Sequence, residues 1–138
     1  MKHNLTIGGA VFGIDSCLER IIGIPGARGV TLVDGATGLA IAAAGRHELL
    51  DEHEDAATTT DVVRAVLACP ALATGHDGDD ITEIVVCGPR GYHLLNLVSG
   101  DFEGRLFVHV LFDDDTGNLA MARFRLQGIL SELTGQGR

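Results

Sequence analysis

The stretch Arg28–Gly45, RGVTLVDGATGLAIAAAG, constrains the fold more than any other part of the chain. Two apolar runs, Arg28 to Val33 and Leu39 to Ala44, flank a glycine-containing segment at positions 34–38. Because glycine readily adopts positive φ, this pattern predicts a β-hairpin with a five-residue loop. The second run has four alanines among its six residues, with leucine and isoleucine at the other two positions, so both of its faces are apolar. Helices can therefore approach the hairpin closely from either side.

The length and charge of the chain narrow the class of protein. With 138 residues, of which 46% are hydrophobic and 21% charged, we expect one globular domain spanning positions 1–138. The formal net charge of −9 disfavours a nucleic acid or an anionic membrane as partner. It would instead steer a protein with a basic face toward this chain.

The same composition argues for a cytoplasmic protein. The N-terminus lacks the pattern of a signal peptide, and no apolar run reaches the length of about 18 residues that a membrane span needs. Cys17, Cys69 and Cys87 are widely spaced and form no CxxC pair. They therefore indicate neither a disulfide framework nor a zinc knuckle.

The periodicity of apolar residues predicts the remaining elements. A first amphipathic helix is expected within the first 24 residues, carried by Ile7, Val11, Ile14, Leu18 and Ile21. Asp55 or Thr58 is expected to cap a second helix that runs to about Cys69, although the threonines at 58–60 and Pro70 interrupt its pattern.

The second half of the chain reads as three strands and a helix. Ile81–Cys87 and Tyr92–Val98 predict a second hairpin, and Arg105–Phe112, apolar on both faces, predicts a central strand. Asp113–Asp115 is expected to cap a last helix whose apolar stripe extends from Leu119 to Leu133. The predicted class is α/β (α+β): a five-stranded, mostly antiparallel sheet with helices on both faces, in the order α-β-β-α-β-β-β-α.

No motif for catalysis or for a cofactor emerges from the sequence. His47, Glu48 and His53 resemble the zincin HExxH helix, but these histidines are six positions apart instead of four and cannot share a helical face in the same way. The aspartates at 77–80 and 113–115 lack the glycine and the carboxylate of an EF-hand loop. The only lysine is Lys2, so a Walker-type nucleotide site is not expected. We predict a protein that is not an enzyme and that needs no metal or cofactor.

Single reactive side chains have structural interpretations. Cys17 and Cys87 lie within apolar patterns, where a cysteine is usually a small buried residue. His109 alternates within an apolar strand and is interpreted as a core or interface histidine with satisfied hydrogen bonds.

A set of packing and turn patterns occurs along the chain at Pro25–Val30 (PGARGV), Leu32–Asp34, Gly38–Leu39, Leu106–Asp113 (LFVHVLFD) and Leu119–Arg125 (LAMARFR). Together these stretches resemble the Roadblock dynein-light-chain family, specifically its bacterial members that accompany small Ras-like GTPases. The resemblance spans nearly the whole chain and consists of packing and turn patterns.

The resemblance implies a noncatalytic homodimer that regulates or scaffolds a small Ras-like GTPase. In such a dimer the third strand and the second helix of each subunit meet, which produces a continuous sheet and a shared helical platform. An apolar edge at Ile81–Cys87 agrees with this arrangement, because self-pairing protects an edge from aggregation. The residues assigned to this interface are Val62, Val63, Arg64, Val66, Ile84 and Val86.

Two further functions remain open at the level of sequence. The small alanines of Leu39–Ala44 would also suit a sensor domain that binds a metabolite between the sheet and the helices. A hydrolase would have to use His47, Glu48 and His53, and bound metal in the purified protein would reveal it.

Overall fold

The computed structural model describes residues 4–7, 10–45, 51–73, 81–98, 106–113 and 118–134. Seven strands and three α-helices lie in these ranges, with a short 3-10 turn at Pro70–Leu72. In chain order they are β1 (Asn4–Ile7), β2 (Ala10–Gly13), α1 (Ile14–Ile22), β3 (Ala27–Asp34), β4 (Leu39–Gly45), α2 (Glu52–Leu67), β5 (Glu83–Gly88), β6 (Gly91–Val98), β7 (Leu106–Asp113) and α3 (Leu119–Thr134).

Five of the strands form one antiparallel sheet in the order β4-β3-β7-β6-β5. Strand β7 lies in its centre, where Val110 is opposite Val30 of β3 and Leu94 of β6. The predicted five-stranded sheet and its central strand are thereby confirmed. Strands β4 and β5 are the two edges.

The sheet has one apolar core on each face. Helices α1 and α3 cover the larger core, which includes Phe112, Leu94, Leu32 and Leu126. Helix α2 covers the smaller one, formed by Val33, Ala56, Val63, Leu95 and Phe107. Helices on both faces were predicted, and this division means that a side chain on β6 or β7 reaches either the α1–α3 side or the α2 side.

The hairpin of β3 and β4 forms as predicted. Its loop is closed by the Asp34 carboxylate, which accepts a hydrogen bond from the Ala36 amide at 2.9 Å, and Gly38 adopts φ of 78°. Both α1 and α2 contact β4, as the small side chains of that strand allow. At its end Gly45 has φ of 85° and lies so close to the backbone of β3 that a β-carbon would collide with it.

The prediction of a helix over the first 24 residues is wrong for its first half. Strands β1 and β2 pair antiparallel there, and α1 begins only at Ile14 with Gly13 as its N-cap. Glycines disfavour helix, while β-branched residues such as Thr6, Ile7 and Val11 suit extended backbone. The predicted helical stripe is therefore real from Ile14 onward, where Ile14, Leu18 and Ile21 are buried.

Helix α2 is capped by Asp51, which corrects the predicted caps at Asp55 and Thr58. The Asp51 carboxylate accepts a hydrogen bond from the Glu54 amide at 2.8 Å. The helix is also continuous through its threonines. Their hydroxyls find acceptors within the helix, since each donates to a carbonyl oxygen one turn back, as Thr60 does to Ala56 at 2.7 Å. The analogous bonds of Thr58 and Thr59 are 2.8 and 2.6 Å long.

Helix α3 begins later than the aspartate run suggests. Asn118 receives the Met121 amide on its side-chain oxygen at 3.0 Å and so occupies the capping position. Asp113 ends β7, while Asp114 and Asp115 lie outside the described residues. The predicted buried stripe is present at Ala122, Leu126, Ile129 and Leu130.

Candidate functional site

A chain of three hydrogen-bonded ionisable side chains joins α2 to the sheet. Asp55, in the first turn of α2, has its Oδ2 atom 2.9 Å from Nδ1 of His109 on β7. Nε2 of the same imidazole lies 2.9 Å from Nδ1 of His93 on β6. The Asp55 and His109 side chains are only 10% and 11% exposed, whereas His93 is half-buried. This series of hydrogen bonds therefore runs from the interior toward the surface.

The two imidazoles meet edge to edge. Their planes are 19° apart and their centroids are separated by 5.1 Å, which is close to the nitrogen–nitrogen distance plus the two ring radii. When both rings are neutral, a carboxylate that can only accept fixes the proton of His109 on Nδ1. Nε2 of His109 then accepts from Nδ1 of His93. A single arrangement of protons thus satisfies both hydrogen bonds between the three side chains.

Burial has a direct effect on the outer histidine. It lowers the pKa of His93 below its ordinary value, and repulsion from a charge on His109 lowers it further, while the Asp55 carboxylate opposes both effects. Protonation of His93 is therefore less favourable in the folded protein than in the unfolded chain. Cross-strand neighbours complete the surroundings, since Val86 of the edge strand lies opposite His93 and Thr31 lies opposite His109.

The two imidazoles are oriented to share a proton in a hydrogen bond and not to coordinate a metal ion. The ring nitrogens of His93 and His109 point at each other, whereas two ligands must point at a common third position. In the part of the chain that the structure describes, no group of three histidine, cysteine, aspartate or glutamate residues is placed to hold an ion. His47 and Glu48, which a hydrolase would have to use, lie outside the described residues, and His53 is exposed beside Glu52.

The six residues predicted for the interface occupy three different environments. Val62 on α2 and Val86 on β5 are 43% and 47% exposed. Val63 is buried in the core beneath α2, and Ile84 packs against the same core. Val66 is half-buried. Only Val62 and Val86 thus present a large apolar surface outward.

Arg64 is exposed and is engaged within the subunit. Its Nη2 atom donates hydrogen bonds to the carbonyl oxygens of Gly35 and Ala36, at 3.1 and 2.9 Å. The guanidinium therefore fastens α2 to the loop of the β3–β4 hairpin.

The cysteines are placed differently from the prediction. Cys17 is half-buried in α1, and burial raises the pKa of its thiol to about 11. Cys87 is exposed on β5, so the expectation that it is buried is wrong. The continuous apolar run of β5 suggests burial on both faces, but the strand lies at an edge of the sheet.

Comparison with known proteins identifies the fold. MglB from Myxococcus xanthus superposes with a TM-score of 0.74 at 24% identity, covering 88% of this chain and 85% of that one. A Roadblock/LC7 domain from Streptomyces avermitilis superposes with a TM-score of 0.67 at 13% identity, covering 86% and 92%. This chain has the Roadblock/LC7 fold.

A further structure with the Roadblock/LC7 fold, described as MglB with a tetrameric arrangement, gives a TM-score of 0.72 at 17% identity over 89% of this chain and 86% of that one. Neither a protein-family model nor a curated protein sequence matches the chain. None of the described helices is both long enough and apolar enough to cross a membrane.

Of the three hydrogen-bonded side chains, only His109 is indicated by the sequence pattern. His109 stood out because it interrupts an apolar strand, and the structure shows its hydrogen bonds. Asp55 was interpreted as a helix cap, and His93 received no role. The missing signal is a shared face: His93 and His109 both point to the α2 side, which follows only from the register of β6 and β7.

Proposed function

We propose that this protein is a noncatalytic regulator or scaffold that pairs with a second copy of itself and binds a small Ras-like GTPase. The fold it shares with MglB and the Roadblock/LC7 domain supports this proposal, as does the sequence resemblance to the GTPase-associated members of that family. The structure described as MglB with a tetrameric arrangement is a precedent for self-association in this fold.

The observation that carries the pairing is the open edge at β5. Val85 and Val86 are 38% and 47% exposed there, and the strand EIVVCG contains no lysine or proline to discourage a neighbouring strand. The opposite edge, β4, is contacted by both α1 and α2. A second copy is therefore expected to add its own β5 at this edge, beside α2.

Sedimentation of two matched variants tests the pairing. Val86→Arg places a charge at the proposed contact and is expected to yield monomers, because a buried unpaired charge is costly. Leu39→Arg makes the same change at the other edge, where Leu39 is 63% exposed, and is expected to leave the dimer intact. A monomeric parent protein, or equal effects of the two variants, would refute the proposed interface.

The GTPase is best sought in the adjacent reading frame. A Ras-like GTPase encoded there should co-elute with this protein in at least one nucleotide state, and its rate of GTP hydrolysis or nucleotide exchange should change. The net charge of −9 predicts that association slows as salt is added, because electrostatic steering is screened. Absence of a complex with GDP and with a GTP analogue would overturn this part of the proposal.

A further inference from the structure

Helix α3 carries a second apolar stripe that faces away from the core. Met121 and Phe124 are 49% and 76% exposed, and Arg125 and Gly128 are exposed beside them. Positions 121, 124, 125 and 128 share one side of a helix because they are three and four residues apart. This side is distinct from the buried one formed by Ala122, Leu126, Ile129 and Leu130, so packing among the described residues does not account for it.

A groove lies next to this stripe. It has a volume of about 540 Å³ and runs between α3 and the end of α1, lined by Gly23, Ile24, Phe124, Gly128 and Ile129 among others. An ion pair between Arg20 and Glu132 joins the two helices along it. The lining of the groove is thus partly apolar, with charged side chains along it.

Gly128 lies within α3, where a glycine is unfavourable. A glycine within a helix costs about 0.5–1 kcal/mol relative to alanine. A β-carbon built at Gly128 meets no atom within 4 Å, so the described residues place no steric demand for glycine there. The missing side chain does keep the groove open and lets another backbone approach α3 closely, as in packed helix pairs.

The charge of the groove indicates what would fill it. Arg125 forms no ion pair with any residue that the structure describes, and it stands beside the exposed Phe124 ring in a chain of net charge −9. A symmetric contact between two copies pairs the stripe with itself, and the stripe contains no carboxylate that could pair with Arg125. A partner with a carboxylate supplies that charge.

We infer that the groove between α1 and α3 is a docking site for an amphipathic helix of another protein. That helix would place an apolar side chain over Gly128, against Phe124 and Ile24, and a carboxylate on Arg125. The site lies on the opposite face of the sheet from α2, so it is independent of the proposed pairing through β5. Both surfaces could be occupied at once.

Binding of two matched peptides tests this inference. The probe is a lactam-bridged amphipathic helix of about 15 residues, with leucines on one face and glutamates beside them. The control peptide has lysine in place of every glutamate. The acidic peptide is expected to bind at least about tenfold more tightly than the basic one, a difference of about 1.4 kcal/mol, and to shift the amide NMR signals of Phe124 and Gly128.

Variants of the protein locate the contact. Arg125→Glu should reverse the preference between the two peptides, whereas Arg90→Glu, at the exposed turn between β5 and β6, should leave it unchanged. Gly128→Leu should abolish binding while the protein stays folded, since its side chain enters open space.

Three results would overturn the inference: equal binding of both peptides, no binding of either, or self-association of the parent protein that Phe124→Ala abolishes. The last result would assign the groove to a second copy. Because Val86→Arg should not alter peptide binding, failure here can be told apart from failure of the proposed dimer.

Discussion

Removal of the Asp55 carboxylate should measure how much the hydrogen-bonded side chains Asp55, His109 and His93 stabilise the packing of α2 on the sheet. In Asp55→Ala, Nδ1 of His109 loses the acceptor that lies 2.9 Å away. Hydrogen bonds to charged groups contribute about 1.5–3 kcal/mol, and solvent screens this one little because both side chains are about nine-tenths buried. The substitution removes the carboxylate together with its charge, so no buried anion is left behind. We therefore expect a loss of about 2 kcal/mol.

Urea unfolding followed by circular dichroism at pH 7.5 checks this value, and the melting temperature should fall by about 6–8 °C. Asp61→Ala is the matched control, since Asp61 is an exposed carboxylate of the same helix and should change stability by no more than about 0.5 kcal/mol. His109→Leu should cost more than Asp55→Ala, at about 3 kcal/mol, because it removes both the bond to Asp55 and the bond to His93. These hydrogen bonds do not stabilise the packing of α2 on the sheet if Asp55→Ala loses no more stability than Asp61→Ala. The same conclusion follows if His109→Leu loses less than Asp55→Ala.

Three further predictions follow from single residues. The folded state lowers the pKa of His93, so the unfolded chain binds more protons. The free energy of unfolding should therefore fall as the pH drops from about 7.5 through about 6.5. Urea melts at a series of pH values should show that this free energy depends less on pH in His93→Gln. Gly45→Ala should cost at least about 2 kcal/mol, measured by thermal melting, because it combines positive φ with a backbone collision. Iodoacetamide at pH 8 should modify Cys87 before Cys17, whose thiol is half-buried with a raised pKa, as peptide mass spectrometry would show.

The order of the sheet and its helices could be predicted because each strand carries its own signal. The β-branched run at Val30–Val33, the turn glycines and the two-faced pattern of β7 all act locally. The N-terminal error has a local cause as well. Ile7, Val11 and Ile14 fit a helical stripe, but only Ile14 belongs to a helix, and spacing alone does not distinguish these cases.

The candidate site depended on information that a single sequence does not contain. Asp55 and His109 are 54 positions apart, and their contact requires α2 to begin at Glu52 so that Asp55 faces inward. The predicted cap at Asp55 would have turned the same carboxylate toward the helix amides. A shift of one turn in a helix start thus changes a buried partner into a surface cap.

The edge-to-edge contact of His93 and His109 limits how many protons the pair can hold. One additional proton fits, since the first imidazole to gain it can donate to the other, and His109 would then also face the Asp55 carboxylate. A second would set an N–H group of one ring against an N–H group of the other across 2.9 Å and force them apart. The contact can therefore hold one added proton but not two, and protonation of both rings should separate the two side chains.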